Sequence, residues 1–110
     1  MQKLSLVALA REQLARAVGS TSGRAAQTVF GGHEHLLRQT LIALVAGSEL
    51  AEHRSPGEAT LQVHSGRVRL VSGRDTWDGR QGDLIVIPSA PHALEAVENS
   101  VVLLTVVKDR

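Results

Sequence analysis

The chain has 110 residues, 43% apolar and 21% charged, with 12 basic and 11 acidic side chains giving a net charge of +1. That is the composition of one globular domain with its own core, without the broad cationic footprint of a nucleic-acid binder. Cysteine is absent and the aromatic residues are only Phe30 and Trp77, which excludes disulfides, thiolate ligands, a cysteine nucleophile and base-stacking platforms.

The opening "MQKLSLVALAREQ" holds a short apolar run broken by Arg11 and Glu12, at the lower limit for a signal peptide. No run approaches the length of a membrane span, and a cytoplasmic protein is expected. Residues 4–18 predict a helix. Val7, Ala10, Leu14 and Ala17 recur at helical spacing, Arg11, Glu12 and Arg16 point to water, and Gly19 stops the run. "GSTSGR" at 19–24 is a loop by composition. Residues 1–24 thus form an N-terminal helix and linker, and residues 25–110 a separate β domain.

Beyond the linker the period becomes two. "AQTVF" is a short strand closed by Gly31-Gly32. "LLRQTLIALVAG" alternates, and is apolar enough on both sides to sit inside a sheet. "ATLQVHS" and "RVRLVS" flank Ser65-Gly66 as a hairpin, and "SGRD" is the next turn. "DLIVIP" is a buried strand closed by Pro88, and "HALEAV" and "VVLLTVV" flank the turn "ENS". Turn signals arrive about every ten residues, the rhythm of a small all-β sandwich or barrel.

The spacing of particular residues carries a family resemblance. Gly47 is followed after five residues by His53, and Gly66 closes that segment. Gly82 is followed after "DLIVI" by Pro88, and His92 comes soon after. In this order the residues resemble the two motifs of the cupin family, and "PGEATLQV" before Ser-Gly resembles its small single-domain members. The resemblance implies a jelly-roll β-barrel with a short N-terminal α-helix, a pocket for a small molecule, a two-fold homodimer, and a divalent metal (Fe, Mn, Zn, Ni or Cu) inside the barrel. Its ligand pattern is degenerate here. Ser55 stands where a second histidine is expected, Ala59 where the acid is expected, and Glu58 lies one residue early. Ala90 takes a glycine position, His92 comes one residue early, and no asparagine follows at the expected place.

The candidate metal ligands are therefore His53, His92 and Glu58, since two imidazoles and a carboxylate suit these metals and form a facial triad when they share one face. Strand alternation turns Glu58 away from that face unless the "SPGE" turn re-aims it through a bulge. Arg38 joins the three as a pocket residue. It lies in an apolar strand, and a buried guanidinium calls for an anionic partner such as a ligand carboxylate. His33 and His35 in "GGHEHLL" read either as a polar loop or as a further ligand from a neighbouring strand. His64 reads as surface, and Trp77 as core or interface packing. Two functions stay open on this evidence. One is a small-molecule-binding cupin, and the other is a metal-dependent cupin enzyme of oxygenase, isomerase or lyase type. The fold alone does not choose between them.

Overall fold

Ser5 opens the helix from outside it. Its backbone is extended and its Oγ accepts a hydrogen bond from the Ala8 amide at 3.2 Å, so α1 (Leu6–Val18) begins two residues later than the apolar pattern suggests. In this computed structural model, which describes residues 2–54 and 57–108, α1 is the only helix among the described residues. It is too short to cross a membrane. Its buried face is also rotated from the expected stripe. Ala10, Gln13 and Ala17 are buried, Leu9 and Leu14 pack beside them, and Val7 is 58% exposed. Gln13 is tolerated inside because its Nε2 donates to Oε1 of Gln27 at 2.9 Å, tying the helix to the first strand.

Nine strands follow among the described residues: β1 (Arg24–Phe30), β2 (Leu37–Leu44), β3 (Glu49–His53), β4 (Gly57–Ser65), β5 (Arg67–Ser72), β6 (Asp75–Arg80), β7 (Leu84–Val86), β8 (His92–Ala96) and β9 (Ser100–Lys108). They form two antiparallel sheets, β1-β2-β9-β4-β7 and β3-β8-β5-β6, and the fold is an all-β cupin-type jelly roll. The inner faces of both sheets meet in one core that includes Ile42, Leu44, Leu61, Val63, Leu70 and Val102. Each such buried aliphatic side chain contributes roughly 1.5–3 kcal/mol of transfer free energy. The outer face of the five-stranded sheet carries a second cluster, where α1 covers Leu41, Ala43 and Val101.

Two strands, β3 "ELAEH" and β6 "DTWDGR", leave no apolar alternation in the sequence. Both are outer strands of the four-stranded sheet, where one edge and most of one face meet water. Conversely "DLIVI" reads as buried on both faces. In the structure only Ile85 and Ile87 are buried, while Leu84 is 62% and Val86 74% exposed on the outer side. The helix reaches β1, β2 and β9 but stops short of β7.

Where β4 leaves one sheet and β5 enters the other, the chain turns at Gly66 with φ of 84°. A Cβ there would lie 2.3 Å from both the Asn99 carbonyl and Ser100 Oγ. Ser100 is fully buried and accepts from the Arg67 amide at 3.0 Å, so it bridges the sheets at this corner. Gly73 has a similar φ of 60° but nothing within 4 Å of a Cβ. Gly66→Ala should therefore cost about 2–4 kcal/mol, combining left-handed strain with overpacking, and Gly73→Ala about 1 kcal/mol from strain alone. Urea denaturation of the two variants measures the difference.

Candidate functional site

One end of the barrel collects the polar side chains that the sequence singles out. β3 carries an irregularity between Leu50 and His53, and after it His53 pairs directly opposite His92 at the start of β8. The two rings are 4.7 Å apart between centroids and inclined by 58°. Each is held by its own backbone: His53 Nδ1 lies 3.0 Å from the Ala51 carbonyl, and His92 Nδ1 3.0 Å from the Ala90 carbonyl. A carbonyl only accepts, so in the neutral ring Nδ1 carries the proton and Nε2 keeps its lone pair. The loop before His92 is fixed in turn, because Ser72 Oγ donates to the Pro91 carbonyl at 2.8 Å.

His92 is 2% exposed, whereas His53 opens to solvent. Both line a chamber of about 20 Å³ whose other walls are aliphatic, among them Leu50, Leu61, Ile87 and Leu104. That volume suits about one water molecule. Beside it runs an open groove of about 730 Å³ past Gly57, Glu58, Thr60, Val86 and Ser89. Ile87 lines both spaces. The sequence gives no signal for this groove, because neighbouring segments build it and no motif marks it.

Arg38 shares the inner face of β2 with Thr40, Ile42 and Leu44, and is half-buried opposite Val106. Thr40 pairs with Leu104 of the chamber wall, so Arg38 stands one inward position nearer the mouth. Two further cations brace this end. Arg54 Nη1 donates to the Ser89 carbonyl at 3.1 Å, and Lys108 Nζ to the Gly32 carbonyl at 3.0 Å.

Glu58 stands apart from these groups. On β4, Ala59, Leu61 and Val63 are buried, while Glu58 and Gln62 are exposed on the other face. Glu58 pairs with Val107, which is itself 40% exposed. Ser55 and Pro56 of the expected turn lie outside the described residues. The structure therefore brings His53 and His92 together, sets Arg38 on the same inner surface, and sets Glu58 on the opposite side of its strand. His33 and His35 occupy the exposed turn between β1 and β2, where His35 packs on Phe30 with ring centroids 5.0 Å apart. His64 lines a cleft between β4 and α1.

Among the described residues no three His, Asp or Glu side chains converge on one point. Two neutral imidazoles among aliphatic walls supply a divalent ion with no anionic ligand, and the chamber has little room for the waters that would complete a tetrahedral shell. The described donor set does not fit a resident divalent centre.

No family model matches the chain, and no curated protein matches it. Solved structures do. A conserved protein of unknown function from Streptococcus pyogenes is 33% identical, with a TM-score of 0.73 over 83% of this chain and 79% of that one. An RmlC-like cupin from Desulfovibrio desulfuricans is 26% identical, with a TM-score of 0.67 over 76% and 81% of the two chains. A salicylate 1,2-dioxygenase from Pseudoaminobacter salicylatoxidans is similar over 96% of this chain at 25% identity and a TM-score of 0.75, but the match spans only 34% of the dioxygenase.

The two faces of β4 make a direct test. Glu58→Gln should change stability by less than about 0.5 kcal/mol, as a solvated substitution does. Ala59→Glu should cost about 2–4 kcal/mol, because it buries a carboxylate among aliphatic neighbours. Thermal and urea unfolding of both variants gives the comparison. Nitrogen-15 spectra of the imidazoles at mildly alkaline pH should show Nδ1–H tautomers for both His53 and His92.

Proposed function

Because the chain belongs to the family of the conserved streptococcal protein and is built on the cupin barrel, we propose that it is a small-molecule-binding cupin that receives its ligand at the barrel mouth. The observation that carries this reading is the His53–His92 pair, two imidazoles anchored through Nδ1 whose Nε2 lone pairs are left for something other than the protein backbone. A neutral Nε2 accepts a hydrogen bond from a ligand hydroxyl. Arg38, on the same inner surface, offers a fork that matches a carboxylate.

The groove, at about 730 Å³, has the size of an organic-ligand site, whereas the chamber of about 20 Å³ does not. In this reading the body of the ligand occupies the groove, on the outward side of β4 and β7, and a polar group passes around Ile87, the residue that lines both spaces, toward the imidazoles. Hydroxy-carboxylic acids combine the two groups this mouth recognises. Salicylate is the substrate named for one structural neighbour, and gentisate is bound to it in another structure, so these two acids are the first probes.

The metal-dependent enzyme is the second reading, and it draws on the same two lone pairs. It requires Glu58 to turn inward from the face where it stands. The reading also includes a two-fold homodimer acting in the cytoplasm.

Thermal-shift and calorimetric titration with salicylate and gentisate tests the proposal on protein prepared without a histidine tag. Saturable binding is expected, weakened about tenfold or more by His92→Ala and by Arg38→Ala, the scale of a lost charge-assisted or buried hydrogen bond. Binding that survives both substitutions would move the site elsewhere. Tight one-to-one binding of zinc or iron(II) to metal-stripped protein, lost in Glu58→Gln, would replace the proposal with the metal-dependent reading.

A further inference from the structure

The outer face of the five-stranded sheet is only half covered. α1 forms a layer over β1, β2 and β9, and beyond its flank the outward side chains of β4 and β7 meet water. On β7 these are Leu84 and Val86, 62% and 74% exposed, and at the outer end of β9, opposite Glu58, Val107 is 40% exposed. A sequence run that is apolar on both sides belongs to a strand covered on both sides. In this chain alone β7 is covered on one.

The helix shows a matching deficit. Val7, Arg11, Ala15 and Val18 recur every three or four residues along one exposed flank, and Val7 and Val18 are 58% and 62% exposed. This flank turns toward β4, because Val7, Arg11 and Leu14 line a cleft of about 200 Å³ together with His64 and Ser65. Flank and strip thus form a step. Its height is one helix layer, about 10 Å, and its floor, the two strands beyond β9, is also about 10 Å wide.

We propose that this step is filled by α1 of a second copy of the chain, each helix lying on the bare strip of the other molecule about a two-fold axis. This rests on the homodimer reading above and names its surface. Three observations select a second copy as the occupant. The step left by one helix accepts one helix, and the reciprocal arrangement closes without leaving an open end. The exposed strip is apolar or neutral at Thr60, Gln62, Leu84 and Val86 and bears one charge, Glu58, while the helix flank carries Arg11, which supplies the opposite sign. Each copy contributes both a strip and a helix, so the two-fold arrangement makes every helix-on-strip contact twice. Pairing of β7 edges is the weaker alternative, since a three-residue edge strand offers little to pair with.

The arrangement also reaches the candidate site. Glu58, Thr60 and Val86 of the strip line the groove of about 730 Å³, so the helix of the second copy walls a groove that one chain leaves open.

Sedimentation equilibrium at micromolar concentrations tests this on wild type, Val7→Glu and Val86→Glu. Both side chains are exposed in the single chain, so circular dichroism of the variants should remain that of the wild type. A wild-type dimer whose dissociation constant rises about 100-fold or more in each variant is the expected result, since each places a carboxylate in the centre of an apolar contact. A wild-type monomer throughout the micromolar range would overturn both the homodimer and its surface. A wild-type dimer left intact by both substitutions would overturn the surface alone. If one variant fails to fold, Val86→Lys reads the same contact with the opposite charge.

Discussion

The register of β4 against β9 governs what the barrel mouth can do. The strands pair continuously from Gly57 with Lys108 to Val63 with Val102, so the alternation along β4 has no freedom before its far end. Ala59, Leu61 and Val63 are inward, and Glu58 and Gln62 outward. A one-residue slip would bring Glu58 inside, but it would also expose three buried aliphatic side chains. Leu61 and Val63 each cost roughly 1.5–3 kcal/mol to return to water and Ala59 less, against a total domain stability of about 5–15 kcal/mol. The acid that stands one residue early in the sequence is therefore held outside by the register of the core strands.

That constraint explains the division between what could be read and what could not. Strands with one face in the core and a clear apolar alternation, such as β2, β4 and β5, are legible because burial writes itself into every second residue. β3 and β6 are not, because edge strands of a half-solvated sheet need no apolar pattern, and "ELAEH" and "DTWDGR" show none. The pairing of His53 with His92 could be anticipated only through the family resemblance, since the two lie 39 positions apart and meet through a strand irregularity that has no local signal. The Nδ1 anchors, the groove and the rotation of the helix face to Gln13 depend on tertiary contacts. No reading of residue types alone contains them.

The mouth is consequently a mixed surface. Its floor has two imidazoles in an aliphatic chamber, its rim has Arg38, and its outer wall has Glu58 and Thr60. With Nδ1 of each ring turned to a backbone carbonyl, Nε2 is left for a ligand donor or a water. A hydroxyl group satisfies them without bringing in the uncompensated charge of a divalent ion. With aliphatic residues around the two histidines, the partner proposed for them is a neutral donor and not a cation.

Covering the strip and filling the groove are physically linked, because Glu58, Thr60 and Val86 belong to both. A helix laid across the strip removes water from one side of the groove, which strengthens polar contacts made to a ligand inside it. By thermodynamic reciprocity, a ligand that binds the walled groove more tightly than the open one must tighten the association of the two chains by the same factor. In the proposed dimer the exposed outer face of β7 would thus have a role at the mouth, seating the helix that turns an open groove into a walled one.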